Sequence, residues 1–182
     1  MVEMKELNVF DYLKQLTVPE IGHYCAARAI SAAVAMTQIE GDFNFSTIIR
    51  NANFFGFREV FYIGAKRWDR RGSVGAHHYT PIKHFKNEQD FLESEDVSEN
   101  VYTLIALENN VNLPLENIYS FIWPRNPMIL IGEERNGIPF SLLTKCKKIV
   151  TIPSEGCIRS LNAGTAAGIA MAMIRQFMAP KL

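Results

Sequence analysis

The sequence predicts an α/β protein built on a mostly parallel sheet flanked by helices. Three observations carry that reading. Short apolar runs alternate with segments of helical spacing along the whole chain. The clearest runs, "VYTLIALE" (101–108) and "MILIG" (128–132), are continuously apolar, as strands covered on both faces are. Polar loops carrying Gly, Asn and Arg follow three of the runs. In an open parallel sheet ligands sit beyond the carboxyl ends of strands, where these loops fall.

Each element has its own signal. Residues 9–31 mix Leu, Ile, Tyr and Ala at roughly helical spacing, and Pro19 and Gly22 interrupt it, which predicts two short helices. "AAVAMTQIE" (32–40) predicts a strand leading into a polar turn, "GDFN". Ile48, Ile49, Ala52 and Phe55 then share one helical face, with Ser46 placed to cap and Gly56 to terminate. "EVFYIGA" (59–65) and "PIKHF" (81–85) predict strands, and "NEQDFLESE" predicts an acidic helix. After the two clear strands come a helix in "FSLLTKC" (140–146), a strand in "KIVTIP" (148–153) and a last helix over 160–178.

Composition bounds the answer. At 182 residues, 48% hydrophobic and 21% charged, the chain reads as one soluble globular domain: a short N-terminal helical extension over 1–31 and a main domain over 32–182. No apolar run approaches the roughly 20 residues of a membrane helix, and the N-terminus has no secretory pattern. Cys25, Cys146 and Cys157 form no CxxC pair, which fits a reducing cytoplasm better than disulfides or zinc. The zero formal net charge hides an asymmetry. Residues 58–86 hold seven Lys/Arg against two acids, and 87–116 hold eight acids with no Lys or Arg. Read alone, these blocks are two solvated faces.

The candidate chemistry lies in "GDFNFSTIIR", "GEERNG" and "PSEGCIRSLN". None is a dinucleotide fingerprint or a P-loop, and no metal-ligand spacing or nucleophile elbow occurs. Singly, the polar residues have structural readings: Arg50 snorkels past Ile48 and Ile49, Glu134 caps or pairs at the "IPFSLL" helix, and Ser160 or Asn162 caps the last helix. Adjacent His77 and His78 point to opposite sides in regular structure, a poor pair of metal ligands.

Together, "DFNFSTIIRNANFFGF", "ILIGEERNGIP" and "IPSEGCIRSLNAGTAAGIA" resemble, in order and spacing, the three signature motifs of the SpoU–TrmH family, RNA ribose 2′-O-methyltransferases of the SPOUT superfamily. The resemblance covers about residues 32–178. This chain departs from the common pattern at Ser46, Asn51, Arg135, Ala163 and Gly164. The resemblance implies a SPOUT-type fold with a deep C-terminal trefoil knot, S-adenosyl-L-methionine as cofactor, a homodimer and no metal. It implies catalytic roles for Arg50, Asn44, Glu134, Ser160 and Asn162, and cofactor contacts from Leu107, Gly132, Ile152, Ser160 and Leu161. With no appended RNA-binding domain the chain looks like the compact tRNA-modifying members; rRNA is the alternative substrate, and a non-catalytic RNA-binding module the alternative class. "KRWDRRGSVGAHHY" falls where the family varies and substrate RNA approaches, which implies phosphate contacts from Arg67, Arg70, Arg71, His77 and His78. Trp68 or Tyr79 is then either a stacking platform for an unpaired base or core packing. The small residues Ala163, Gly164, Ala166, Ala167 and Gly168 suit a last helix that lies tightly against other backbone.

Overall fold

The computed structural model describes residues 8–37, 42–64, 68–109, 111–133 and 136–179. Its strands are β1 (Ile30–Met36), β2 (Phe57–Ile63), β3 (Ile82–Phe85), β4 (Thr103–Leu107), β5 (Glu116–Asn117), β6 (Pro127–Ile131) and β7 (Lys148–Thr151). They form one sheet in the order β3-β2-β1-β6-β4-β7-β5, and every pairing is parallel. Six of these strands are legible in the sequence. Two-residue β5, at the sheet edge, is too short to leave an apolar run.

The helices are α1 (Val18–Ala26), α2 (Asp42–Phe54), α3 (Glu88–Leu92), α4 (Glu95–Ser98), α5 (Phe140–Leu143) and α6 (Ala163–Met178). Alternate strand residues face two cores, the period-two consequence of the pleat. On one face Val34, Met36, Ile105, Ile129, Ile131 and Val150 pack with Ile48, Ile49 and Ala52 of α2 and Ala167, Ala170, Met171 and Ile174 of α6. On the other, Ala33, Ala35, Phe61, Leu104, Met128 and Leu130 pack with Phe91 of α3 and Leu142 and Leu143 of α5. Each large aliphatic side chain so buried contributes about 1.5–3 kcal/mol.

Three local readings are corrected. Pro19 does not break the N-terminal segment. It stands in the first turn of α1, where its missing N–H is harmless, behind a capping box made by Thr17 and Glu20. Gly22 lies inside the same helix; the other expected helix is only a 3₁₀ turn, Asp11–Leu13. Most of "GDFN" is not a turn, because α2 already begins at Asp42. Ser46 therefore caps nothing. Fully buried within the helix, its Oγ donates to the Asp69 carbonyl and ties α2 to the segment after β2. The other end of α2 meets the prediction, with Gly56 in the left-handed region at φ 70° just past it.

α6 starts at Ala163, and Asn162 rather than Ser160 caps it, its Oδ1 accepting from the Thr165 amide at 3.1 Å. The small residues serve an intramolecular contact. A Cβ on Gly164 would come 3.2 Å from Thr47 Cγ2 and 3.3 Å from Asn44 Oδ1, and one on Gly168 would come 3.0 Å from Asn51 Nδ2. Glycine at both positions lets α6 lie this close to α2 without displacing those side chains.

Candidate active site

The register of the sheet brings the site together. β4 pairs with both β6 and β7, matching Leu107 to Ile131 and to Val150, so the three strands end at one level. Beyond those ends, Leu107, Glu108, Asn109, Ile152, Ser160, Leu161 and Ala166 line a cleft of about 70 Å³. Four of the five residues assigned to the cofactor share it: Leu107, Ile152, Ser160 and Leu161. Gly132 is the fifth. It does not line the cleft but stands where the loop after β6 folds back, next to the Glu133–Gly137 bridge.

Asn44 and Asn162 meet at the mouths of α2 and α6. Asn162 Nδ2 donates to Asn44 Oδ1 at 2.8 Å across 118 positions of sequence. One side chain thus caps α6 with its oxygen and fixes the first turn of α2 with its nitrogen. Ser160, two residues earlier, is exposed on the loop before α6. Arg50 projects from α2 nearly two turns beyond Asn44 and is exposed, opening on a separate groove of about 1050 Å³. Glu134 and Arg67 lie outside the described residues.

Two residues that sequence reasoning passed over organise the cleft. The Glu108 carboxylate accepts from the Asn109 amide at 2.8 Å and from the Ile138 amide, in the loop after β6, at 3.2 Å. Asn109 Nδ2 donates to the Arg159 carbonyl, in the loop before α6, at 2.6 Å. This dipeptide at the end of β4 clasps both other loops. "EN" at a strand end carries no motif, so only the fold reveals it. Glu108→Gln turns an amide NH₂ toward one of two N–H donors and leaves that donor unpaired. Calorimetry of the variant is expected to show binding of the cofactor that the resemblance implies weakened about tenfold, with the unfolding midpoint lowered by a few degrees.

The region after β2 sorts differently. Arg71 grips Asp69, its Nε donating at 3.0 and 2.8 Å to the two carboxylate oxygens, and this pairing lowers the Asp69 pKa. Arg70 is exposed, 5.8 Å above the Trp68 ring. Trp68 packs edge-on against Phe45 at 4.8 Å and joins the core margin, and Tyr79 is buried, so both are packing residues rather than exposed stacking platforms. His77 and His78 do not point to opposite sides. In a 3₁₀ turn their rings lie 4.1 Å apart, and His78 alone is exposed. Among the described residues, no three His, Cys, Asp or Glu side chains are placed to hold a metal ion, and no helix is long and apolar enough to cross a membrane.

His77 Nδ1 shares a hydrogen bond of 2.6 Å with the buried Ser73 hydroxyl. Its pKa is lowered first by burial, then by His78 and Arg70. The unfolded chain therefore binds the proton more readily, so stability is full above the ordinary histidine value and declines as pH falls below it. Urea midpoints measured between about pH 5 and 7 are expected to drop on acidification in wild type and to flatten in His77→Asn.

A parallel sheet with its ligand cleft at the carboxyl strand ends defines a class of α/β proteins that bind small molecules in loops. Within that class, residues 31–172 match the SpoU rRNA Methylase family, and the chain belongs to it. It is 26% identical over 141 residues to the mouse tRNA (guanosine(18)-2′-O)-methyltransferase TARBP1, an alignment of 75% of this chain but 9% of the mouse protein's length. The fold is similar to that of the A. aeolicus TrmH/SpoU tRNA modifying enzyme, with a TM-score of 0.75 at 18% identity over 88% of this chain and 81% of that one. It is also similar to the SpoU methyltransferase AviRb from Streptomyces viridochromogenes in complex with AdoMet, with a TM-score of 0.69 at 23% identity over 79% and 56%.

Proposed function

We propose that this protein is an S-adenosyl-L-methionine-dependent RNA ribose 2′-O-methyltransferase acting on tRNA. The observation that carries the reading is the cleft at the strand ends lined by the loop after β4 and the loop before α6, tied to the loop after β6 through Glu108 and to α2 by the Asn162–Asn44 hydrogen bond. The mouse relative and the A. aeolicus neighbour, both named for tRNA, support the choice of substrate.

The donor set fits the cofactor. Leu107, Ile152, Leu161 and Ala166 supply apolar walls for an adenine ring, while Ser160, Glu108 and Asn109 supply polar edges. The cleft is about 70 Å³ and the exposed loop over 154–162 borders it. The cofactor supplies the electrophilic methyl group when bound. Arg50 binds the phosphate beside the target ribose and orients the 2′-hydroxyl, because a guanidinium keeps its protons and serves poorly as a base. The phosphate oxygen it holds receives the hydroxyl proton as the oxygen becomes nucleophilic. Asn44, Glu134 and Asn162 hold the loops in register for this step, and Ser160 positions the ribose.

The same reading makes the carboxyl-terminal part of the chain a deep trefoil knot, the active species a cytoplasmic homodimer, and residues 1–31 a short extension of one domain over 32–182. Burial of Ile21 in the main core supports treating the extension as part of that unit. Arg67, Arg70, Arg71, His77 and His78 lie at the approach to RNA in this reading, with exposed Arg70 and His78 better placed than paired Arg71 or half-buried His77.

The test is nucleoside mass spectrometry of unmodified tRNA and rRNA, each incubated with the protein and S-adenosylmethionine. A new 2′-O-methyl nucleoside in the tRNA pool is the expected result. A gain only in rRNA would replace the substrate, and no gain in either pool with cofactor bound would leave an RNA-binding module.

A further inference from the structure

We infer that the large groove beside α2 holds an unpaired stretch of the substrate RNA, gripped by Arg28, Arg58 and Arg175 together with Arg50; the inference rests on the RNA methyl-transfer reading above. The groove, about 1050 Å³, runs between the N-terminal segment, the carboxyl end of α2 and the two 3₁₀ turns Arg71–Ser73 and Ala76–His78. Four elements deliver one arginine each: the turn after α1, α2, β2 and the end of α6. All four are exposed, and among the described residues no Asp or Glu lines the groove. Among the described residues none of the four forms an ion pair.

Arg58 aside, these arginines come from outside the basic block visible in the sequence. There, Lys83 is bound to Glu59 at 2.7 Å and Asp96 at 2.9 Å, and Arg71 is bound to Asp69. In a chain of zero formal net charge, Arg28, Arg50 and Arg175, with no acidic partner among the described residues, and Arg58, which also stands near Tyr102 beside Glu59 and Asp96, give the depression a local positive field suited to a polyanion. The alternating chemistry of the walls narrows the ligand further. Phe54, 80% exposed, and Phe10, 69% exposed, offer aromatic faces at the rim. The Arg28 guanidinium lies 3.7 Å from the centre of the Tyr24 ring and donates to the Tyr24 carbonyl at 3.4 Å. Exposed rings among arginines match bases that are not already paired and stacked. In the floor, the buried Tyr79 hydroxyl has no hydrogen-bond partner among the described residues.

The test uses the full chain and fluorescence anisotropy with a labelled single-stranded oligoribonucleotide and the same sequence as a duplex. The triple variant Arg28→Gln, Arg58→Gln, Arg175→Gln is expected to weaken single-strand binding at least about tenfold and to reduce the slope of log Kd against log salt by about two, the sum for three phosphates. Phe54→Ala is expected to weaken single-strand binding about tenfold and to leave duplex binding unchanged. S-adenosylmethionine affinity and Tm serve as checks of fold and should not move. Wild-type affinity and salt slope in the triple variant would overturn the inference. So would sedimentation showing that these substitutions separate a dimer while RNA affinity stays intact, which would give the groove to a second copy of the chain. A protein that binds the strand through these arginines but transfers no methyl group would sink the proposed reaction and keep the groove. Transfer that survives with unaltered binding in the variant would sink the groove alone.

Discussion

Arg50→Ala is expected to lower the single-turnover rate of methyl transfer by about a hundredfold to a thousandfold while S-adenosylmethionine affinity and Tm stay at wild-type values. The magnitude follows from what is lost: a preorganised cation on the reacting phosphodiester and the orientation it imposes, each of that order where measured in other enzymes. The separation of readouts follows from position. Arg50 is exposed and does not line the cleft that holds Leu107, Ile152 and Leu161, so truncation opens no cavity and removes no cofactor contact. Arg50→Lys decides between roles. A lysine keeps the charge but not the planar two-pronged grip, so an orienting arginine leaves most of the loss in place. Full recovery in the lysine variant would show that charge alone suffices. A cofactor affinity that falls with the rate would place Arg50 in the cleft and contradict the geometry.

The same helix shows what the sequence reveals and what it withholds. The apolar face of Ile48, Ile49 and Ala52 is legible because helical period and burial are local properties, and the structure buries all three. Ser46 is misread for an equally physical reason. As a sequence letter it is a cap former, but its buried hydroxyl is satisfied by a carbonyl 23 residues away. A hydrogen bond of that separation leaves no local trace. Pro19 shows the same ambiguity, since the ring that ends one helix begins another. At the site, the motif residues are legible as types and the partners are not. Nothing in "DFN" and "SLN" says that Asn44 and Asn162 bond to each other, nor that Glu108 clasps the loop after β6. The charge blocks mislead in the opposite direction. Counting Lys and Arg along 58–86 includes Arg71 and Lys83, which the fold pairs with acids, while the groove gathers Arg58 with Arg28, Arg50 and Arg175, too scattered for any one window to sum.

Gly132→Ala is expected to destabilise the fold by about 3 kcal/mol and to abolish cofactor binding together with it. A Cβ at this position would fall 2.7 Å from the Gly137 carbonyl oxygen and closer still to the Gly137 carbonyl carbon and the Ile138 amide nitrogen. These are backbone atoms, fixed by the Glu133–Gly137 bridge and by the Ile138 N–H bond to Glu108, so no side-chain rotation relieves the overlap. The two arms of the loop after β6 must part, and parting them breaks the Glu108 hydrogen bond that joins this loop to β4. Stability and binding therefore fail through one displacement. Two other glycines calibrate the measurement. Gly156, exposed and with nothing within 4 Å of where a methyl group would stand, should change stability by no more than about 0.5 kcal/mol as alanine. Gly22, inside α1 and equally open, should gain about 0.5–1 kcal/mol, because alanine lowers the entropy of the unfolded chain without meeting a neighbour. Urea unfolding of the three variants gives one large loss, one unchanged midpoint and one gain if close backbone approach is what makes Gly132 necessary. A Gly132→Ala midpoint near that of wild type, with cofactor binding lost, would instead make the residue a direct contact of the ligand.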